Sequence, residues 1–86
     1  MTIHKTHPSI VARLKRASGH LNSVIAMLEA QKPCIDIAQQ MQAVEAAITK
    51  AKRELINDHI QHCLEPGHVG NADEALVELR QIAKFL

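Results

Sequence analysis

The sequence has no tryptophan or tyrosine, and its one aromatic residue is Phe85. A core built around aromatic rings is therefore excluded. Any core must come from Leu, Ile, Val, Met and Ala, a set that suits helices packed on helices and on other subunits. There are only two cysteines, so a disulfide-dense scaffold is excluded. No apolar run reaches the ~20 residues of a membrane span, and no stretch has the form of a signal peptide. The expected setting is cytoplasmic, where thiols stay reduced and can act as ligands. Formal net charge is only +1, so no overall field announces an acidic partner. Strand signals, internal repeats and low-complexity tracts are also missing.

What remains is helical periodicity. Eighty-six residues make one small domain, 1–86, of a size often marginal on its own. Residues 1–7 read as a flexible arm. His7-Pro8 suits a helix start, and Ile10, Leu14, Leu21, Ile25 and Leu28 give a stripe for a first helix over 8–29. Pro33 and then Glu65-Pro66-Gly67 bracket a long second helix over 34–64. Within it Ile37, Met41, Val44, Ile48, Ala51 and Leu55 form a heptad seam. Residues 65–71 are a loop, with Asn71 and Glu74 resembling a helix cap. The third helix is expected over 72–85, burying Ala75, Leu79 and Ile82. The fold class is all-α: medium, long and short helices.

The chemistry sits in Cys34, His59 and Cys63. His59 and Cys63 are four residues apart on one helix face. A thiolate and an imidazole there make half of a metal site. Cys34 precedes His59 by 25 residues. At ~1.5 Å per residue that is roughly 37 Å along a helix, against metal–ligand bonds of about 2.0–2.3 Å. One helix cannot close this site. Two long helices from two chains can, if they pair antiparallel about a two-fold axis near residues 46–49. Cys34 of one chain then lies opposite residues 59–63 of the other, and each dimer has two sites. Two thiolates and one imidazole are a soft set that favours Cu(I), with Zn(II) as competitor. A further nitrogen from His4 or His7, or with lower priority His62, would suit Ni(II) or Co(II). His20 and His68 read as solvated or supporting groups. The bland alternative is that a lone cysteine is a small core residue.

Basic residues cluster at Arg13, Lys15 and Arg16 and again at Lys50, Lys52 and Arg53. Local patches of this kind can bind phosphate even when total charge is balanced, although exposed helix faces normally carry such charges.

The segment RLKRASGHL (13–21) resembles the RL.RI.GQ opening of the CsoR/RcnR/FrmR family of small helical repressors. The segment 34–63 resembles that family's central helix, and the Cys–His–Cys spacing matches its copper sensors. The resemblance implies a tetramer, made as a dimer of antiparallel dimers. It implies operator DNA bound by the metal-free protein without a helix-turn-helix, and released on metal binding to derepress efflux genes. By position, Cys34, His59 and Cys63 would be inducer ligands, and Glu78 would stand behind them from the third helix. Arg13, Lys15, Arg16, Lys52 and Arg53 would face DNA. Some positions depart from particular branches. Pro33 stands where copper sensors often have tyrosine, and Thr2 stands where the formaldehyde branch has proline. His59 argues against the persulfide branch. The competing functions are a metal-storage or metallochaperone protein without DNA binding, and a thiol-reactive formaldehyde or persulfide sensor. A thiol enzyme using Cys63 and His59 lacks a third orienting group, so no enzymatic activity is expected.

Overall fold

The computed structural model describes residues 7–64 and 72–86, apart from the side chains of Cys63 and Ala72. It contains three helices and, among the described residues, no strand. They are α1 (His7–Glu29), α2 (Cys34–Leu64) and α3 (Ala72–Ala83). The all-α expectation holds, with two shifts in boundary. His7 is the first residue of α1 rather than the end of an arm. α3 stops at Ala83, and the chain finishes in turns closed by Phe85 N–H to Ile82 O and Leu86 N–H to Ala83 O. The arm residues 1–6, the loop 65–71 and its Asn71 cap lie outside the described residues.

Backbone hydrogen bonds explain the tight α1–α2 turn. Lys32 N–H donates to Met27 O at 3.0 Å and Gln31 N–H to Leu28 O at 3.1 Å. Gln31 has φ 55°. This is the Schellman arrangement, in which a left-handed residue lets two orphan carbonyls at the helix end find donors. Pro33 then starts α2: its carbonyl accepts from Asp36 and Ile37. The Asp36 carboxylate in the first turn complements the helix dipole.

α1 and α2 form an antiparallel hairpin, and α3 packs back on α2. The hairpin core is two rows with a seven-residue step: Ile10, Ala17 and Val24 on α1, and Ile37, Val44 and Ala51 on α2. Val24, Ile37 and Val44 form its centre, with Met27 packed against them. Small Ala17 and Ala51 permit close helix approach. Ile56 is also buried, and Ala75, Leu79 and Ile82 of α3 are half-buried as expected.

The six-residue seam of the second helix is not one surface. Alternate members Ile37, Val44 and Ala51 face α1, whereas Met41, Ile48 and Leu55 are 53%, 47% and 39% exposed. On α1 the large residues Leu14, Leu21, Ile25 and Leu28 are likewise exposed, and of the expected stripe only Ile10 is buried. The hairpin has thus filled its internal seam and still carries a broad apolar face.

The molecule is a slab of 55 × 23 × 13 Å, with a radius of gyration of 17.5 Å. A compact chain of this length would have about 12 Å. Its accessible surface is 6751 Å², roughly 1,700 Å² more than a compact monomer of its mass exposes. That excess is about twice the ~800 Å² that one partner contributes to a standard protein–protein interface.

Candidate metal centre and nucleic-acid interface

Cys34, Met41, Ile48, Leu55 and His62 recur every seven residues along α2. They form one row beside the buried one. Cys34 is exposed at one end, with a free thiol. His59 lies half-buried near the other end, its Nε2 3.8 Å from Glu78 Oε2 on α3. The two line an open cleft of about 290 Å³ with Gln81, Ile82 and Phe85. Cys63 is in the last turn of α2. His62 is half-buried one position away. His7 opens α1 with Nε2 3.9 Å from Asp58 Oδ2, at the same end of α2 as His59. His4 and His68 lie outside the described residues.

One chain therefore brings His59 to Glu78 and His7 to Asp58. It does not bring Cys34 to either. Among the described residues no three His, Cys, Asp or Glu side chains converge on a single point. The donors stand at opposite ends of an exposed apolar row.

The basic residues divide between two surfaces. Arg13 and Arg16 line a cleft of about 160 Å³ between α1 and α2, with His20, Ala17 and Ala47. Arg53 lines a separate hollow on α2 with Lys50, Gln42, Glu45, Ala46 and Thr49. Lys15 and Lys52 are exposed. Arg13 Nη2 is 3.1 Å from Glu54 Oε1. His20 Nε2–H donates to Gln40 Oε1 at 2.6 Å.

Glu54, Gln40 and Asp58 escaped the sequence reading. All three come from antiparallel register: once Ile10, Ala17 and Val24 oppose Ala51, Val44 and Ile37, the flanking positions pair Arg13 with Glu54 and His20 with Gln40. The repeated seven-residue step in both helices was the available signal.

A family model for metal-sensitive transcriptional repressors matches residues 6–85. The chain belongs to this family. Among its relatives is the copper-sensing transcriptional repressor CsoR of Mycobacterium ulcerans, 35% identical over 74 residues, covering 85% of this chain and 63% of that protein. CsoR of Bacillus subtilis is 33% identical over 81 residues, covering 93% and 80%. The chain thus spans less than two thirds of the mycobacterial relative. Among solved structures, the nickel-responsive transcriptional regulator InrS matches with a TM-score of 0.83 and 28% identity, over 100% of this chain and 99% of that one. The family is one of repressors, not enzymes. None of the helices in the described residues is long and apolar enough to cross a membrane.

Proposed function

We propose that this chain is a cytoplasmic, metal-responsive repressor that holds operator DNA when metal-free and releases it on binding Cu(I) or Ni(II). The observation that carries the reading is the exposed row from Cys34 through Met41, Ile48 and Leu55. It is apolar where a second copy would pack and ends in a thiol where a ligand is needed. Cys34 of one copy with His59 and Cys63 of another would make a soft donor set inside a dimer, and pairs of dimers would make a tetramer. Glu78 Oε2 lies 3.8 Å from Nε2 of His59, and a hydrogen bond closing there on assembly would leave Nδ1 to coordinate. Bound metal supplies a cross-link between the two chains. Release follows if cross-linked chains bind DNA more weakly, a coupling of typically ~1–3 kcal/mol or roughly 5–150-fold.

The DNA-facing groups are Arg13, Lys15 and Arg16 with Lys52 and Arg53, drawn onto one surface only by assembly. The regulated genes would be metal efflux genes, as the family resemblance implies.

A second reading concerns the metal. His7 lies by Asp58 at the His59 end of α2, which supports it as the fourth, nitrogen donor. Added nitrogen favours Ni(II), or Co(II), over Cu(I). His4, and after it His62, are the other candidate nitrogens for this role, and Zn(II) is the competitor for the thiolates.

The experiment is metal titration of the reduced protein bound to an operator duplex, reading thiolate absorption and fluorescence anisotropy together. Loss of release in Cys34→Ala with helicity intact supports the inter-chain site. Full release in that variant overturns it. His7→Ala separates the metals: weakened Ni(II) binding with unchanged Cu(I) binding supports the nickel reading. A metal-free protein that binds no DNA specifically would instead make it a storage or delivery protein.

A further inference from the structure

The Arg13 cleft contains a feature that neither the metal site nor the family membership accounts for. Its walls carry Arg13, Arg16 and His20, and its floor is Ala17 and Ala47. Such a hollow of nitrogen donors has the chemistry to seat one oxyanion. Glu54 already reaches Arg13, through one contact of 3.1 Å between Nη2 and Oε1. Arg13 Nε is buried and has no hydrogen-bond partner among the described residues. A carboxylate that positioned the guanidinium would grip it through two parallel bonds. Glu54 grips one corner and leaves Nε unpaired. Both side chains of the pair are about one-third exposed, 32% for Arg13 and 31% for Glu54, so solvent and larger anions can reach the contact.

We propose that Glu54 is an internal counter-anion for Arg13, which a DNA phosphate displaces. This role rests on the reading that α1 faces operator DNA. A phosphate arriving at the cleft can take over the Nη2 contact that Glu54 holds, with Arg16 beside it, and reaches the buried Nε once the guanidinium turns. Glu54 then swings into water. Each binding event exchanges one weak internal pair for one phosphate contact. Glu54 therefore sets the strength and salt dependence of DNA binding and has no part in choosing the sequence, because phosphates carry no base information.

The test uses the full chain, metal-free and reduced, in fluorescence anisotropy titrations. The probes are a duplex enriched by wild-type protein from a random library and a scrambled duplex of equal length. Salt is varied between about 0.05 and 0.2 M, where phosphate contacts dominate the slope. Glu54→Gln keeps size and helix preference, and circular dichroism checks the fold. It is expected to bind both duplexes about two- to fivefold more tightly per engaged cleft. The slope of log K against log salt should steepen by less than one for each, because both proteins engage the same phosphate and differ only in the internal pair, which salt also screens. Arg13→Gln/Glu54→Gln should bind no better than Arg13→Gln, because the gain requires a released Arg13.

Unchanged or weaker binding by Glu54→Gln, with wild-type binding intact, overturns the role and leaves the repressor reading standing. So does a double variant that gains as much as Glu54→Gln, since that is the mere loss of a negative charge. If wild-type protein enriches no duplex, the DNA-facing reading falls and this role falls with it.

Discussion

Replacing Ile48 with lysine tests the central claim that α2 meets a second copy along its exposed row. Ile48 is 47% exposed in the single chain. Full burial of such a side chain is worth about 1.5–3 kcal/mol, so covering the remaining half contributes roughly 1 kcal/mol per copy. Residue 48 lies near the proposed two-fold axis, and both copies lose this term. Each lysine ammonium is also taken from water into an apolar contact, at an effective cost of several kcal/mol per ion. Near the axis it faces its own symmetry mate. The sum is at least ~4 kcal/mol, or about a thousandfold in the dimer dissociation constant. Lysine is a good helix former, and the position does not belong to the hairpin core, so any helicity lost reflects the missing partner rather than a broken hairpin. Sedimentation velocity at micromolar protein should show wild-type assemblies and mostly monomeric Ile48→Lys. Thiolate absorption on adding metal should fall with it, because Cys34 loses the opposite donors. A folded Ile48→Lys that assembles like wild type would refute the assignment of this row to a partner.

Other outcomes follow from the fold. Gln31→Gly should raise stability by about 0.5–1 kcal/mol, because a side chain in the left-handed region is strained and glycine is not. Thermal denaturation should shift up by a few degrees, on the order of 4–8 °C per kcal/mol for a domain of this size. A lower melting temperature would contradict the cap. Ile37→Ala should cost about 2–5 kcal/mol as a core deletion, read by urea denaturation. Glu78→Gln should weaken metal binding by ~10–100-fold, the usual effect of removing the partner of a ligating histidine. Competition with a chromophoric chelator checks this, and an unchanged affinity removes Glu78 from the site.

The helices were legible in the sequence because punctuation and period agreed. Pro33 and the apolar steps of 34–64 specify α2, and the structure returns the same bounds. What could not be read was the ownership of apolar residues. Ile37 and Met41 are both apolar and are neighbours one turn apart on the helix, yet one faces α1 and the other faces outward. Hydrophobicity says that a residue wants cover and does not say from which chain. On α1, size misdirected the reading. The larger leucines drew attention, whereas the buried row uses Ala17 and Val24, whose smaller side chains allow two helices to close together. The same limit applies to the site. Residue types and spacing single out Cys34, His59 and Cys63 as candidate ligands. The pairs Arg13–Glu54 and His7–Asp58 depend on hairpin register, which emerges only when two helices are set side by side.

The 13 Å thickness of the slab has a consequence for abundance. A sheet of helices one layer deep keeps little of its surface from water, so much of its folding free energy must come from association. Stability then rises with the concentration of the chain itself. Dilution, as well as heat, becomes a denaturant. A cell that makes too few copies would have an unstable, protease-sensitive polypeptide in place of a weakly acting regulator. Synthesis rate would thereby set a threshold below which the regulator does not exist.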